Sequence, residues 1–164
     1  MLAPLALAVV AALAPAVDFE NYTYRVTPCN PGAITTHAGQ GEQFSDDKTQ
    51  SFDAYVEQVV FGELAGRSFA VVRLSCSFPV GSSSAAYLYA INGHSATYLR
   101  TIATADPGEG HMMKGWIHIR FAHNLLYVDR CVSTDDCTHG IVTTYAMRAG
   151  KVAAVYEMNH KYTP

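Results

Sequence analysis

Charge is scarce in this chain: 15% of its 164 residues are charged, 11 Lys and Arg stand against 14 Asp and Glu, and the cations nowhere gather into a basic stripe. Nucleic acid and anionic membrane surfaces are both held by clustered cations, so neither is an expected partner. Helix signals are also few, and there are no heptads or low-complexity tracts. The longest apolar run, Met1 to Ala16, is short for a transmembrane helix, which takes about 20 residues, and no Lys or Arg flanks it as an anchor. Familiar catalytic motifs are missing too. Gly81-Ser82-Ser83-Ser84 forms no nucleophile elbow and reads as a polar linker, while Gly108 and Gly110 lack the strand-to-helix setting of a phosphate loop. Asp46-Asp47 and Asp135-Asp136 are sequence neighbours on loops, which point apart into water instead of sharing a proton. Serine-hydrolase, nucleotide-binding and glycosidase chemistry are therefore not expected, and no cofactor is.

What is present begins with that apolar run. It carries no charged side chain and closes on Ala14-Pro15-Ala16, the small-x-small pattern that a signal peptidase cuts, although the usual basic n-region is missing. The expectation is a signal peptide over residues 1–16 and a secreted or periplasmic β domain over residues 17–164, with no stable membrane insertion after cleavage. Cys29 follows Val26-Thr27-Pro28, which is not a lipobox, so no lipid anchor is expected. Roughly 150 residues make one domain with a core of its own. Asn21-Tyr22-Thr23 is a glycosylation sequon, of consequence only in a eukaryotic secretory pathway.

Cys29, Cys76, Cys131 and Cys137, in an oxidising compartment, read as two disulfides more readily than as a metal site, because their spacings are not those of zinc ligands. Three pairings are open. Cys131 and Cys137 flank a short polar loop that can bring its ends together, which leaves Cys29 with Cys76. The longer loop would restrict the unfolded chain by roughly 3 to 4 kcal/mol in the chain-entropy picture. Two disulfides leave no thiolate for cysteine catalysis.

From residue 56 on, short β-branched and aromatic runs alternate with turn residues, the spacing of an antiparallel meander. The expected strands are Val56 to Phe61, Phe69 to Cys76, Ala86 to Ile91, Thr97 to Ala103, Trp116 to Phe121, Leu125 to Arg130, Ile141 to Arg148 and Lys151 to Asn159, eight in all. Asn92-Gly93-His94-Ser95, Ala122-His123-Asn124 and Ala149-Gly150 read as hairpin turns, since Asn and Gly tolerate positive φ. A longer loop, Thr104 to Gly115, splits the strands into two four-stranded units. In Phe69 to Cys76 the even positions Ala70, Val72, Leu74 and Cys76 form the expected core face; in Trp116 to Phe121 it is Ile117, Ile119 and Phe121, with Trp116, His118 and Arg120 opposite. Residues 27–51 read as irregular chain, with one short helix conceivable over Asp46 to Tyr55 capped by Ser45. The fold class is a mainly β, single-domain antiparallel sheet or meander with little helix.

Two site types are in view. Hairpin pairing could gather His118, His123 and Asp129, with His111 nearby, into a Zn²⁺ or Cu²⁺ site, although His-x4-His is no recognised ligand motif and surface histidines are the plainer reading. Tyrosines recur within the strands, and if Trp116 and Tyr87 share an exposed face with His118 and Arg120, that face is a binding surface; packing is the ordinary role of strand tyrosines. The expected function is non-catalytic binding of a protein or envelope ligand by the sheet surface or loops. The alternative is a small extracellular metal-dependent hydrolase using His118 and His123.

Asp18-Phe19-Glu20-Asn21-Tyr22-Thr23-Tyr24, Pro28-Cys29, and the stretch Val59-Val60-Phe61-Gly62-Glu63-Leu64-Ala65-Gly66-Arg67-Ser68-Phe69 leading to Cys76 resemble a group of small exported actinobacterial proteins of uncharacterised function. Mycobacterial lipoproteins of the LppP/LprE type are broadly similar. In that pattern an aromatic opening precedes a first Cys, and an acidic glycine turn, akin to the calcium loops of FG-GAP and VCBS repeats, leads to a strand ending at a second Cys. The resemblance covers about residues 18–103 and implies a Cys29 to Cys76 bond. It transfers no catalytic residue. At the turn this chain keeps only Glu63 and has Ala65, Arg67 and Ser68 instead, so the oxygen ligands of calcium are largely absent, while Gly62 and Gly66 would preserve its shape.

Overall fold

The computed structural model describes residues 17–29, 32–44, 51–78, 81–105, 117–131 and 139–161. Among them there is no helix, and none long and apolar enough to cross a membrane. The described residues form eleven strands. A small pair holds β1 (Thr23–Tyr24) and β2 (Ile34–Thr35). A five-stranded sheet holds β3 (Gln40–Phe44), β4 (Ser51–Leu64), β5 (Arg67–Phe78), β6 (Gly81–Asn92) and β7 (Ser95–Ala105). A four-stranded sheet holds β8 (Ile117–Ala122), β9 (Leu125–Cys131), β10 (His139–Arg148) and β11 (Lys151–Lys161). Both larger sheets run in chain order with every neighbour antiparallel, as the closely spaced apolar runs require. The expected meander is therefore what forms, and seven of the eight expected strands fall wholly inside observed ones; Trp116, the first residue of the eighth, lies outside the described residues.

Two-residue turns set the hairpin registers. Ala65-Gly66, His123-Asn124 and Ala149-Gly150 each place both central residues at positive φ, as type I′ hairpins demand, while Gly93 takes that role at the first position of its own turn. Three expectations need correction. Residues 27–51 are not all irregular, since β2 and β3 arise there. Ser51–Tyr55 is strand and cannot close a helix from Asp46; residues 45–50 lie outside the described set. Gly81-Ser82-Ser83-Ser84 is the start of β6, with Ser84 opposite Ser75 and Ser83 opposite Cys76, because the apolar strand β5 templates backbone pairing that small polar side chains do not oppose.

β5 is buried on both faces, where one core face was expected. Ala70, Val72, Leu74 and Cys76 face one core together with Tyr87 and Tyr89 of β6; Phe69 and Val71 face another with Leu88, Ile117, Ile119, Leu126 and Tyr145. The second core lies between the two large sheets. The first is covered by the chain's N-terminal layer, residues 17–29 with the β1–β2 pair, which lays Val17, Phe19, Tyr22, Tyr24 and Ile34 against the five-stranded sheet. Aromatic edges interlock there, with Phe19 5.1 Å from Tyr89 and Tyr22 5.9 Å from Tyr89 in an edge-on contact. The Tyr24 hydroxyl donates to the Phe19 carbonyl, and that of Tyr22 donates to the Ala96 carbonyl at 3.3 Å. Asp18 accepts from the Glu20 and Asn21 amides and from the Asn21 side chain, whose bond holds the Asp18 carboxyl below its ordinary range. A disulfide joins Cys29 of this layer to the buried Cys76 of β5, with Cα atoms 5.2 Å apart.

Between the sheets, β4 meets β8 so closely that a Cβ at Gly62 would lie 2.0 Å from Cγ of Phe121. Gly62 is thus a strand residue that admits a ring, not part of the turn, whose conformational demand falls on Ala65 and Gly66. Arg73 of β5 binds the sheets on the same inner face, donating to the Ile117 carbonyl at 3.2 Å while pairing with Glu57 at 3.3 Å.

Replacing Cys29 and Cys76 by Ser is expected to lower stability by roughly 2 to 5 kcal/mol in urea unfolding and to expose residues 17–29 to hydrogen exchange before the four-stranded sheet; unchanged protection of that layer would refute the account. Gly62→Ala is expected to cost about 1 to 3 kcal/mol, and the cost should shrink when measured in a Phe121→Ala background, which removes the Cγ and ring it would meet, in a double-mutant cycle read by thermal unfolding.

Candidate functional site

The Ala65-Gly66 turn of one sheet and the Ala149-Gly150 turn of the other come together at one end of the molecule, where Nη1 of Arg67 donates to the Gly150 carbonyl at 3.3 Å. Beside this tie the sheets part and leave a cleft of about 350 Å³. Its apolar lining is Phe69 of β5, Leu88 of β6, Leu99 of β7, Met147 of β10 and Val152 of β11. Phe69 and Leu88 are buried in the inter-sheet core, whereas Leu99 is exposed at the mouth. The position of Leu99 follows from an irregularity in the β6–β7 pairing, where Leu88 opposes Arg100 but Tyr89 opposes Tyr98, so the strand pushes an extra residue outward.

Three cations complete the lining: Arg67, Arg100 and Lys151. The Arg67 guanidinium lies 5.8 Å from the centre of the Phe69 ring and that of Arg100 lies 5.9 Å from the Tyr145 ring, contacts that hold planar cations over apolar ground. Among the described residues, Arg73 pairs with Glu57 and the His160 ring meets the Asp129 carboxyl; neither contact involves a cation of the cleft. Among the described residues the lining holds no Asp, Glu, His, Ser or Cys, so its side chains offer an oxyanion partner and an apolar seat, with the Lys151 amine as the one group that can also act as a nucleophile or base.

The residues singled out from sequence lie elsewhere. Tyr87 is buried beneath the N-terminal layer, 2% exposed, and so stands apart from His118 and Arg120, which are exposed on the outer face of the four-stranded sheet. Trp116 and His111 are outside the described residues. His118 sits directly opposite Asp129, as hairpin pairing implied, but His123 is in the turn, roughly 15 Å further along the strand. Asp129 instead meets His160 of β11 at 3.0 Å. His160 reaches it past Gly140, its register partner, which carries no side chain. Among the described residues, no three His, Cys, Asp or Glu side chains are placed to hold a metal ion. The outer face is otherwise occupied with itself: Arg120 lies 4.1 Å over the Tyr127 ring, and Tyr156 follows two strands on in the same row. Cys131 is disulfide-bonded, and Cys137 lies outside the described residues.

Arg67, Arg100 and Lys151 were not recognised as a set from sequence. Arg67 and Lys151 each follow a glycine turn directly, which was a readable sign that they share an end of the molecule only once both sheets were known to stack. No protein-family model, curated protein or solved structure matches this chain.

Burial pushes the hydroxyl pKa of Tyr22, Tyr24, Tyr87, Tyr89 and Tyr145 above the usual tyrosine value. These are packing groups, not reactive phenolates. The unfolded chain loses such protons near pH 10 (about the model-peptide value) while the native state keeps them, so this stabilisation is complete below about pH 10 and falls as pH rises further. In an alkaline titration the phenolate absorbance of these residues is expected to rise together with loss of the far-ultraviolet sheet signal; ionisation at ordinary pH with the sheet intact would contradict it.

Proposed function

We propose that this chain is a non-catalytic ligand-binding domain that works outside the reducing cytosol and seats its ligand in the inter-sheet cleft. The observation that carries the reading is the make-up of that cleft: an apolar floor and three cations without carboxylate partners among the described residues, in a chain of net charge −3. Concave apolar sites with a few converging polar groups are the usual seats of small ligands. A disulfide between Cys29 and Cys76 is compatible with an oxidising extracytoplasmic location. The cleft is favoured over the outer sheet face, where Arg120 already lies over Tyr127 and Asp129 already meets His160.

A neutral polarity-sensitive dye such as Nile red tests the location. Saturable binding to the oxidised protein is expected. Val152→Trp and, at the exposed mouth, Leu99→Trp should each weaken it at least about tenfold, a loss of about 1.4 kcal/mol, with the thermal midpoint of the Leu99 variant retained. Tyr156→Ser with Met158→Ser on the outer face should leave it unchanged. The reverse pattern would move the site to the sheet surface.

A further inference from the structure

We infer that the ligand of this cleft is a single-chain amphiphile with an anionic head: an acyl tail lying on Phe69, Leu88, Leu99, Met147 and Val152, and an oxyacid group held by Arg67, Arg100 and Lys151. The inference rests on the cleft being the binding site and adds the chemical class of what fills it. The two halves of the lining divide the ligand between them. The apolar residues come from both sheets and meet at the buried rings and methyls of the inter-sheet core, so a hydrocarbon inserted there continues that core.

The head group follows from charge. Arg67 begins β5, Arg100 lies in β7 and Lys151 begins β11, three separate segments brought to one opening. Arg67 and Arg100 are guanidinium forks, suited to two parallel hydrogen bonds with a carboxylate or phosphate. Arg67 is already steadied by its bond to the Gly150 carbonyl and by the Phe69 ring, so little of its motion remains to be lost on binding. A quaternary ammonium head would meet three like charges there, and a sugar head would leave them without an anion. The volume, about 350 Å³, is near the lower end for ligand pockets and suits one chain, not a diacyl lipid.

Titration calorimetry on the oxidised full chain, below the critical micelle concentration of each probe, tests this with dodecanoate, dodecyl phosphate, dodecyl maltoside and dodecyltrimethylammonium. The two anions are expected to bind one to one, the maltoside at least about tenfold more weakly, and the ammonium not measurably. Among fatty acids, affinity should rise about fourfold per added methylene until the cleft is full. Arg100→Glu with Lys151→Glu, both exposed positions, should abolish the preference for anions while Nile red binding persists. Equal binding of all four head groups would overturn the head-group assignment yet leave the cleft as a site. Nile red binding without any dodecyl probe would overturn the acyl assignment. Absence of both would overturn the cleft reading as well.

Discussion

A strand whose consecutive residues are all apolar has no side to give to water. Phe69, Ala70, Val71 and Val72 of β5 are each almost fully buried, so the five-stranded sheet needs a cover on both faces. The four-stranded sheet supplies one and the N-terminal layer the other, which turns two meanders into three layers. The layers are not equally self-sufficient. The four-stranded sheet brings its own ladder of hydrogen bonds, whereas the N-terminal layer has only the two-residue strands β1 and β2, and it is held by aromatic packing, a few tyrosine hydroxyl bonds and the Cys29–Cys76 bridge. Covalent attachment is placed where the regular structure is thinnest.

The same demand for cover explains where the cleft lies. On the β4 side the sheets are drawn together until only a glycine at position 62 admits the Phe121 ring, and Arg73 reaches across to the Ile117 carbonyl. Away from that seam, β5, β6 and β7 face β10 and β11 with less to fill the space, and the gap is bridged at its rim by Arg67 and deeper in by the Tyr145 hydroxyl, which donates to the Ile102 carbonyl at 3.0 Å. The wedge is thus a product of uneven closure, and its lining combines core side chains with the cations that begin the flanking strands.

The strand pattern and the inner face of β8 were legible, because Ile117, Ile119 and Phe121 alternate with His118 and Arg120 at the period of two that a half-wet sheet imposes. The double-sided burial of β5 was not. Phe69 and Val71 are as apolar as the positions between them, and only the remote N-terminal layer gives the even face its partner. β1 and β2 are too short to show any period. The Asp129 neighbour His118 could be read from the hairpin, but His160 could not, since its approach depends on a glycine in the strand between. The cleft was hidden for the same reason: Arg67, Arg100 and Lys151 become neighbours through the stacking of sheets, which local pattern does not encode.

The Tyr22 hydroxyl reaches the Ala96 carbonyl across a separation of 74 residues, and Cys29 reaches Cys76 across 47. Residues 17–29 therefore leave the ribosome before their partners and complete their docking late, after β6 and β7 have been made. Contacts so distant along the chain are slow to assemble, because ring closure must precede any gain from them. Until then Phe19, Tyr22 and Tyr24 remain uncovered, which makes vectorial emergence a hazard and gives an early covalent tether kinetic as well as thermodynamic value.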